Sequence, residues 1–296
     1  MRLERPKQLV KNSVYRSLGE VTMRGPRRAG SSSALRVLMY HKVNDTRHNS
    51  VTVPPALFDR QMGALASLGY EVVSLDEAIA HYTLGAPLPL HPVMLTFDDG
   101  YEDNLRHALP ILERHGYPAT LFVPIAFVGD PLPLPHERRL RAEGITNPVL
   151  DWDGVLELER RGVRIESHGI SHRPLADLDL GDAAREILVS KRRLEEVLGR
   201  RVSAFAYVKG SEAHFKPVHA NLLLQAGYDL GFSGVSGSNG LDADRFRLRR
   251  YNVEPYSLRT FELVLAGACD LVGLKDTVAG TRVRRMFNVA FGTSSQ

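Results

Sequence analysis

Short apolar runs and longer stretches of helical spacing alternate along most of this chain. Runs rich in Val, Ile, Leu and Phe occur at Val37–Tyr40, Glu71–Ser74, Val93–Phe97, Thr120–Val123, Val163–Glu166, Val202–Tyr207, Asp229–Phe232 and Phe246–Val253. Their length and composition mark them as strands. Between several of them lie segments of helical period that stop at a glycine, the residue that most readily takes the left-handed conformation ending a helix. Phe58–Leu68 stops at Gly69, Asn104–His115 at Gly116, Asp153–Arg161 at Gly162, Asp182–Leu198 at Gly199 and Pro217–Ala226 at Gly227. Repeated strand, helix, glycine and strand predicts βα units and a parallel sheet. A nearly continuous apolar strand such as Val93-Met94-Leu95-Thr96-Phe97 fits a sheet covered on both faces. Roughly 220 residues of this pattern suit one closed barrel better than two small domains. The predicted class is therefore α/β, an irregular (β/α) barrel of about seven parallel strands. It spans residues 36–256, preceded by a basic leader (1–35) that a Gly30-Ser31-Ser32-Ser33 linker closes, and followed by a helical extension (257–296).

Composition narrows the function classes. The 296 residues are 43% apolar and 24% charged, ordinary for a globular protein and unlike a collagen, a coiled coil or a disordered chain. No apolar run reaches the roughly 18 residues that a bilayer-spanning helix needs. The single cysteine, Cys269, cannot form an internal disulfide and reads as a small buried hydrophobe. Net charge is +4, but residues 1–36 carry nine Lys or Arg against two acidic residues, which leaves the remaining 260 at −3. Positive charge confined to one end argues against a nucleic-acid partner. The leader lacks the apolar core of a secretory signal. Its spaced Leu3, Leu9, Val10, Val14 and Leu18 predict either a frayed tail or a weak amphipathic helix on anionic lipid. The expected location is the cytoplasm, with peripheral contact at the inner membrane face.

Two constellations carry chemistry, each where an apolar strand runs out. In Thr96-Phe97-Asp98-Asp99-Gly100-Tyr101, adjacent carboxylates repel unless a cation or proton lies between them, though Asp-Gly is also a common turn. In Glu166-Ser167-His168-Gly169-Ile170-Ser171-His172, a spacing of four places both imidazoles on one side of a helical turn, where they either grip a metal or stand solvated in a loop. In a βα fold both constellations fall on the same rim. One carboxylate with two histidines is a common ligand set for catalytic zinc.

These segments resemble the NodB-like polysaccharide deacetylases, carbohydrate esterase family 4. Thr96–Gly100 matches the family's Thr-Phe-Asp-Asp-Gly motif in full, and His168-Gly169-Ile170-Ser171-His172-Arg173 matches its His-Ser/Thr-x-x-His-Pro/Ser motif, with Gly169 and Arg173 as departures. Val37–Val43, Trp152 to Gly162, Gly227-Tyr228 and Phe246–Val253 resemble flanking parts of the same domain, so that the resemblance covers residues 36–256. It implies Asp99, His168 and His172 as metal ligands and Asp98 as catalytic base. The metal implied is zinc, with cobalt or nickel as alternatives. The implied reaction removes acetyl groups from N-acetylated amino sugars of a polysaccharide or its precursor. An O-acetyl esterase, a deformylase and a non-catalytic metal-containing glycan-binding protein are the competing readings.

The third motif departs further. Where the family has a Pro-Tyr-Gly ending, this chain has Tyr207-Val208-Lys209-Gly210. The resemblance gives the residue at Lys209 a backbone N–H toward the oxyanion, a role any non-proline residue can fill. The arginine that orients the base in many members is absent at Ala206, and Arg250 is the substitute on offer. The family's late histidine, the acid for the departing amine, has no match after His219. His41, at the end of the first strand, is either that acid or a buried structural histidine. Glu166, Asn104 and Tyr101 adjoin the motifs and either line the site or, the preferred reading, pack around it.

Overall fold

All seven residues of strand Pro92–Asp98 are buried, which is possible only where both faces of a sheet are covered. The computed structural model describes residues 34–46, 51–130, 132–267, 270 and 277. The basic leader up to Ser33, Cys269 and most of the extension after Gly267 lie outside the described residues. Among the described residues no helix is long and apolar enough to cross a membrane.

The strands are β1 (Arg36–Tyr40), β2 (Lys42–Val43), β3 (Thr52–Val53), β4 (Glu71–Val72), β5 (Pro92–Asp98), β6 (Ala119–Val123), β7 (Val163–Ser167), β8 (Ala204–Ala206), β9 (Leu230–Phe232) and β10 (Tyr251–Asn252). The helices are α1 (Pro55–Ser67), α2 (Leu75–Leu84), α3 (Leu109–His115), α4 (Arg138–Ala142), α5 (Trp152–Arg160), α6 (Leu180–Leu198), α7 (Pro217–Gln225) and α8 (Leu258–Leu265). Seven strands pair in the order β10-β1-β5-β6-β7-β8-β9, every pair parallel, with β4 added beside the start of β5. This is the parallel-stranded, curled (β/α) architecture that the strand-helix alternation predicts.

The alternation of side chains along each strand sorts the core into two layers. Val93, Leu95 and Phe97 face the helices, where Phe58, Met62, Leu112, Leu158, Ile187 and Leu223 complete the larger cluster. Val37, Met94, Phe122, Ala206, Phe232 and Leu248 form a second layer inside the curl of the sheet, joined by Leu75 and Ala78 of α2. Thr96 and Asp98 follow Met94 at intervals of two and so turn into that enclosed space. The pleat therefore decides that Asp98 points inward.

The run Phe246–Val253 forms far less strand than its composition predicts, because it changes neighbours midway. Leu248 pairs beside Phe232 of β9, whereas Tyr251 and Asn252 pair with Leu38 and Met39 of β1. Arg250 lies between these contacts, so the segment that joins the two sheet edges delivers its guanidinium to the interior. Asn239 fixes the approach: its side chain accepts from Arg249 N–H (2.8 Å) and donates to the carbonyls of Arg249 (2.9 Å) and Leu35 (3.3 Å). Asn104–Ala108, expected as ordinary helix, forms a wider π-helical turn ahead of α3, and α2 was not anticipated. A capping box between Ser74 and Glu77 starts α2, a signal present in the sequence.

Helix α8 begins the expected extension, and its Phe261, Val264 and Leu265 belong to the larger core cluster with Phe58 and Leu65. Phe261→Ala should therefore destabilise the protein by about 3–5 kcal/mol, the scale for emptying a buried phenylalanine site. Urea denaturation followed by circular dichroism checks this; a loss below about 1 kcal/mol would mean that α8 is peripheral.

Candidate metal centre and its base

Every motif residue sits where a strand meets its following loop. His41 follows β1, Asp98 ends β5, His168 follows β7 and Lys209 lies after β8. Asp99, His172 and Lys209 have φ of 78°, 54° and 59°, left-handed values that cost a side chain energy. Only one other non-glycine residue among those described, His91, shares this conformation. Backbone strain is thus concentrated at the rim, a frequent property of functional sites.

Asp99, His168 and His172 converge, with one donor atom from each within 4.8 Å of the others. Asp99 Oδ1 lies 2.9 Å from His172 Nε2 and 3.6 Å from His168 Nε2. His168 Nδ1 donates to the Ala206 carbonyl at 2.8 Å, which leaves Nε2 as the lone-pair nitrogen facing Asp99. Such an outer hydrogen bond is what orients an imidazole toward a cation. Burial holds His168 down to about 4, so it is neutral and ready to ligate at neutral pH. Burial also pushes His172 down, but the charge and hydrogen bond of Asp99 outweigh it and raise its pKa. Asp99 is held well below the usual carboxylate range, because His172, His136 and His41 overcome the opposing effect of burial. A hard carboxylate oxygen and two imidazole nitrogens, preassembled and shielded, fit a zinc-class divalent ion.

Asp98 has a different partner. Arg250 grips it with two parallel hydrogen bonds, Nη1 to Oδ1 at 2.7 Å and Nη2 to Oδ2 at 2.8 Å. Nε of the same guanidinium donates to Ser233 O at 2.9 Å, and its carbon stands 5.4 Å from the Phe122 ring centre. Burial alone would raise the Asp98 pKa; Arg250 and His168 reverse this and lower it. Asp98 is therefore ionised, with Oδ2 4.0 Å from His168 Nε2.

The remaining candidates lie nearby. His41 is half-buried, its Nδ1 enclosed without a hydrogen-bond partner, and its carbonyl accepts from Asn104 Nδ2 at 2.8 Å. Burial lowers its pKa against the pull of Asp99 and Asp98, which places its ring within electrostatic reach of both. Lys209 carries an exposed ammonium whose charge only partly offsets the raised His172 pKa, and its N–H has no hydrogen-bond partner among the described residues. Glu166 stands apart: it accepts from the Ser203 and Ala204 N–H groups and pairs with Arg164 and Arg200, ties within the sheet rather than to the site.

Two contributors escaped sequence reasoning. Glu186 of α6 accepts from the N–H groups of Ile170 (2.6 Å) and Ser171 (3.0 Å), which locks the turn between the histidines. A side chain on Gly169, φ 80°, would come within 2.9 Å of that carboxylate, which accounts for glycine at this motif position. His136 lies with Nε2 3.5 Å from Asp99 Oδ2, and no motif marks it.

Known proteins share this arrangement's framework. The family model for polysaccharide deacetylase matches residues 86–231. YxkH of Bacillus subtilis (strain 168), whose name places it with the polysaccharide deacetylases, is 28% identical over 223 residues, covering 75% of this chain and 72% of its own. Residues 86–231 belong to the polysaccharide deacetylase family. A poly-β-1,6-N-acetyl-D-glucosamine N-deacetylase of Escherichia coli (strain K12) is 29% identical over 140 residues, 44% of this chain and 20% of that protein. The structure of IcaB from Ammonifex degensii superposes with a TM-score of 0.66 at 25% identity, covering 80% of this chain and 97% of IcaB. Asp98, Asp99, His168, His172 and Lys209 fall inside the family match; His41 and Arg250 fall outside it.

Because His172 holds its proton more tightly than a free histidine, a cation must displace it. Zinc affinity should rise with pH until the raised His172 pKa is passed and then level off, with about one proton released per ion near pH 6. Calorimetry in buffers of different ionisation enthalpy measures that proton; its absence near pH 6 would contradict the ligand assignment.

Proposed function

We propose that this chain is a metal-dependent hydrolase that removes acetyl groups from N-acetylated amino sugars of a polysaccharide or its precursor. The observation that carries the reading is a buried carboxylate, Asp98, held ionised by Arg250 directly beside the Asp99-His168-His172 cluster. Asp99, His168 and His172 would hold a divalent ion, with zinc the best fit and cobalt or nickel as substitutes. Bound there, the ion supplies Lewis acidity toward the acyl carbonyl and makes water easier to deprotonate.

The chain's own residues divide the proton work. Asp98 takes a proton from the water that adds to the acyl carbon, and Arg250 keeps the carboxylate aimed and charged while it does so. The Lys209 N–H donates to the oxygen that gains negative charge. His41 delivers a proton to the departing nitrogen as the C–N bond breaks, leaving acetate and a free amine. The guanidinium of Arg250 replaces the arginine missing from position 206, which favours catalysis over a purely binding role.

Acetate release from a panel of N-acetylated oligosaccharides tests this directly. Asp98→Asn should lower kcat by roughly two to four orders of magnitude while zinc content stays at the wild-type level. His41→Ala should slow amide substrates on the same scale but spare aryl esters, whose leaving group needs no proton. Wild-type activity in Asp98→Asn, or no acetate from any substrate in the panel, would refute the assignment.

A further inference from the structure

The main chain leaves the barrel sheet at a single residue, His41. Strand β1 ends at Tyr40, and β2 starts at Lys42 in a separate two-stranded ribbon with β3. Within that ribbon Lys42 N–H donates to Val51 O at 3.3 Å. The imidazole of His41 has no anchor of its own: Nδ1 is enclosed without a partner, and among the described residues no hydrogen bond holds the other ring nitrogen. A working histidine is ordinarily oriented through the nitrogen that does not meet the substrate. Here the anchor that the structure supplies lies on the backbone.

That anchor comes from the turn that follows the Asp98-Asp99 pair. Asn104–Ala108 is π-helical, with Leu109 N–H bonded to Asn104 O. Such wide turns are rare and are found frequently at functional sites. Asn104 Nδ2 donates to His41 O at 2.8 Å and to Asp103 Oδ1 at 3.0 Å. Both neighbours only accept, so the amide must present its nitrogen to them, and Asn104 Oδ1 is left enclosed without a partner. Asp103 Oδ1 also accepts from Val43 N–H at 3.1 Å, and its Oδ2 accepts from Asn44 Nδ2 at 2.5 Å. His107 Nδ1 donates to Val43 O at 2.8 Å. Three side chains of one turn thus hold His41, Val43 and Asn44, and the buried Asn104 is the one that bonds to His41 itself.

We propose that Asn104 is a positioning residue that fixes the His41 main chain and, through it, the aim of the imidazole at the departing nitrogen. The proposal rests on the acid role given to His41 above and adds the residue that keeps that acid in place. Loss of the Asn104 amide frees the His41 carbonyl at the point where the chain changes sheets. A displacement of about 1 Å at a reacting group is enough to cost roughly 100-fold in rate. None of the Asn104 side-chain hydrogen bonds reaches Asp98, Asp99, His168 or His172, so its removal leaves the base and the ligands with their own partners.

The test compares wild type, Asn104→Ala, His41→Ala and the double variant, each as the full-length zinc-loaded protein, on an N-acetylated oligosaccharide and on an aryl acetate. Asn104→Ala should lower kcat on the amide by roughly 10- to 100-fold, affect the aryl ester far less and leave zinc content at the wild-type level. In the His41→Ala background it should cost nothing further on the amide, because a residue that acts only through His41 has no effect once the imidazole is gone. Asp103→Asn keeps the shape of the side chain but replaces one accepting oxygen with a donor. It should move the amide-to-ester ratio in the same direction even if Asn104→Ala folds poorly. Equal losses on amide and ester, an unchanged amide rate in Asn104→Ala, a loss that adds to that of His41→Ala, or an unchanged ratio in Asp103→Asn would overturn the role of Asn104 and leave His41 as the acid. If His41→Ala slows both substrates alike, or the wild type releases no acetate from the amide, the acid assignment falls together with this one.

Discussion

A guanidinium with no solvent exposure, inside a barrel, is the constraint on which the rest of this site depends. Burying such a charge costs several kcal/mol unless it is paired and its remaining hydrogens are used. Arg250 meets that condition with both oxygens of Asp98, the carbonyl of Ser233 and the face of Phe122. In return Asp98, whose pKa burial alone would raise, is held ionised and can act as a base. The pair also ties β5 to the segment that joins β9 to β1, so the electrostatics of the base and the joining of the sheet edges are one interaction.

Strain on the rim follows from bringing ligands together at strand ends. Left-handed backbone at Asp99, His172 and Lys209 costs of order 1–3 kcal/mol each and persists because neighbours over-determine it. His168 N–H is held by the Val123 carbonyl, the 170–171 turn by Glu186, and Gly210 by contact with Gly234 so close that a side chain would lie 2.2 Å from its nitrogen. The ligands are thus positioned before any cation arrives, at the expense of backbone energy recovered in the core below.

What could be read from the chain followed physical range. Apolar runs and glycine stops are local, and they marked β1, β5, β6 and β7 and the helices after them. Thr96–Gly100 and His168–His172 are compact segments, and their convergence follows once the strands are parallel. Arg250 was visible as a substitute only because the family resemblance leaves Ala206 where an arginine is expected and the closing segment offers another. His136 and Glu186 were not visible: neither has a local pattern, and each acts across a long loop or from a helix whose exposed and buried faces only packing decides. The Phe246–Val253 run was overread as strand because composition cannot show that a segment divides its bonds between two neighbours.

Carbon-13 NMR titration of the Asp98 carboxyl, in the wild type and in Arg250→Met, bears most directly on this pairing. In the wild type the carboxyl should titrate below the ordinary aspartate range, so that it is fully ionised at neutral pH. In Arg250→Met burial acts without its main counterweight, and the titration should move above that range, with the acid limb of the rate profile moving up alongside it. Identical Asp98 titrations in the two proteins would contradict the account.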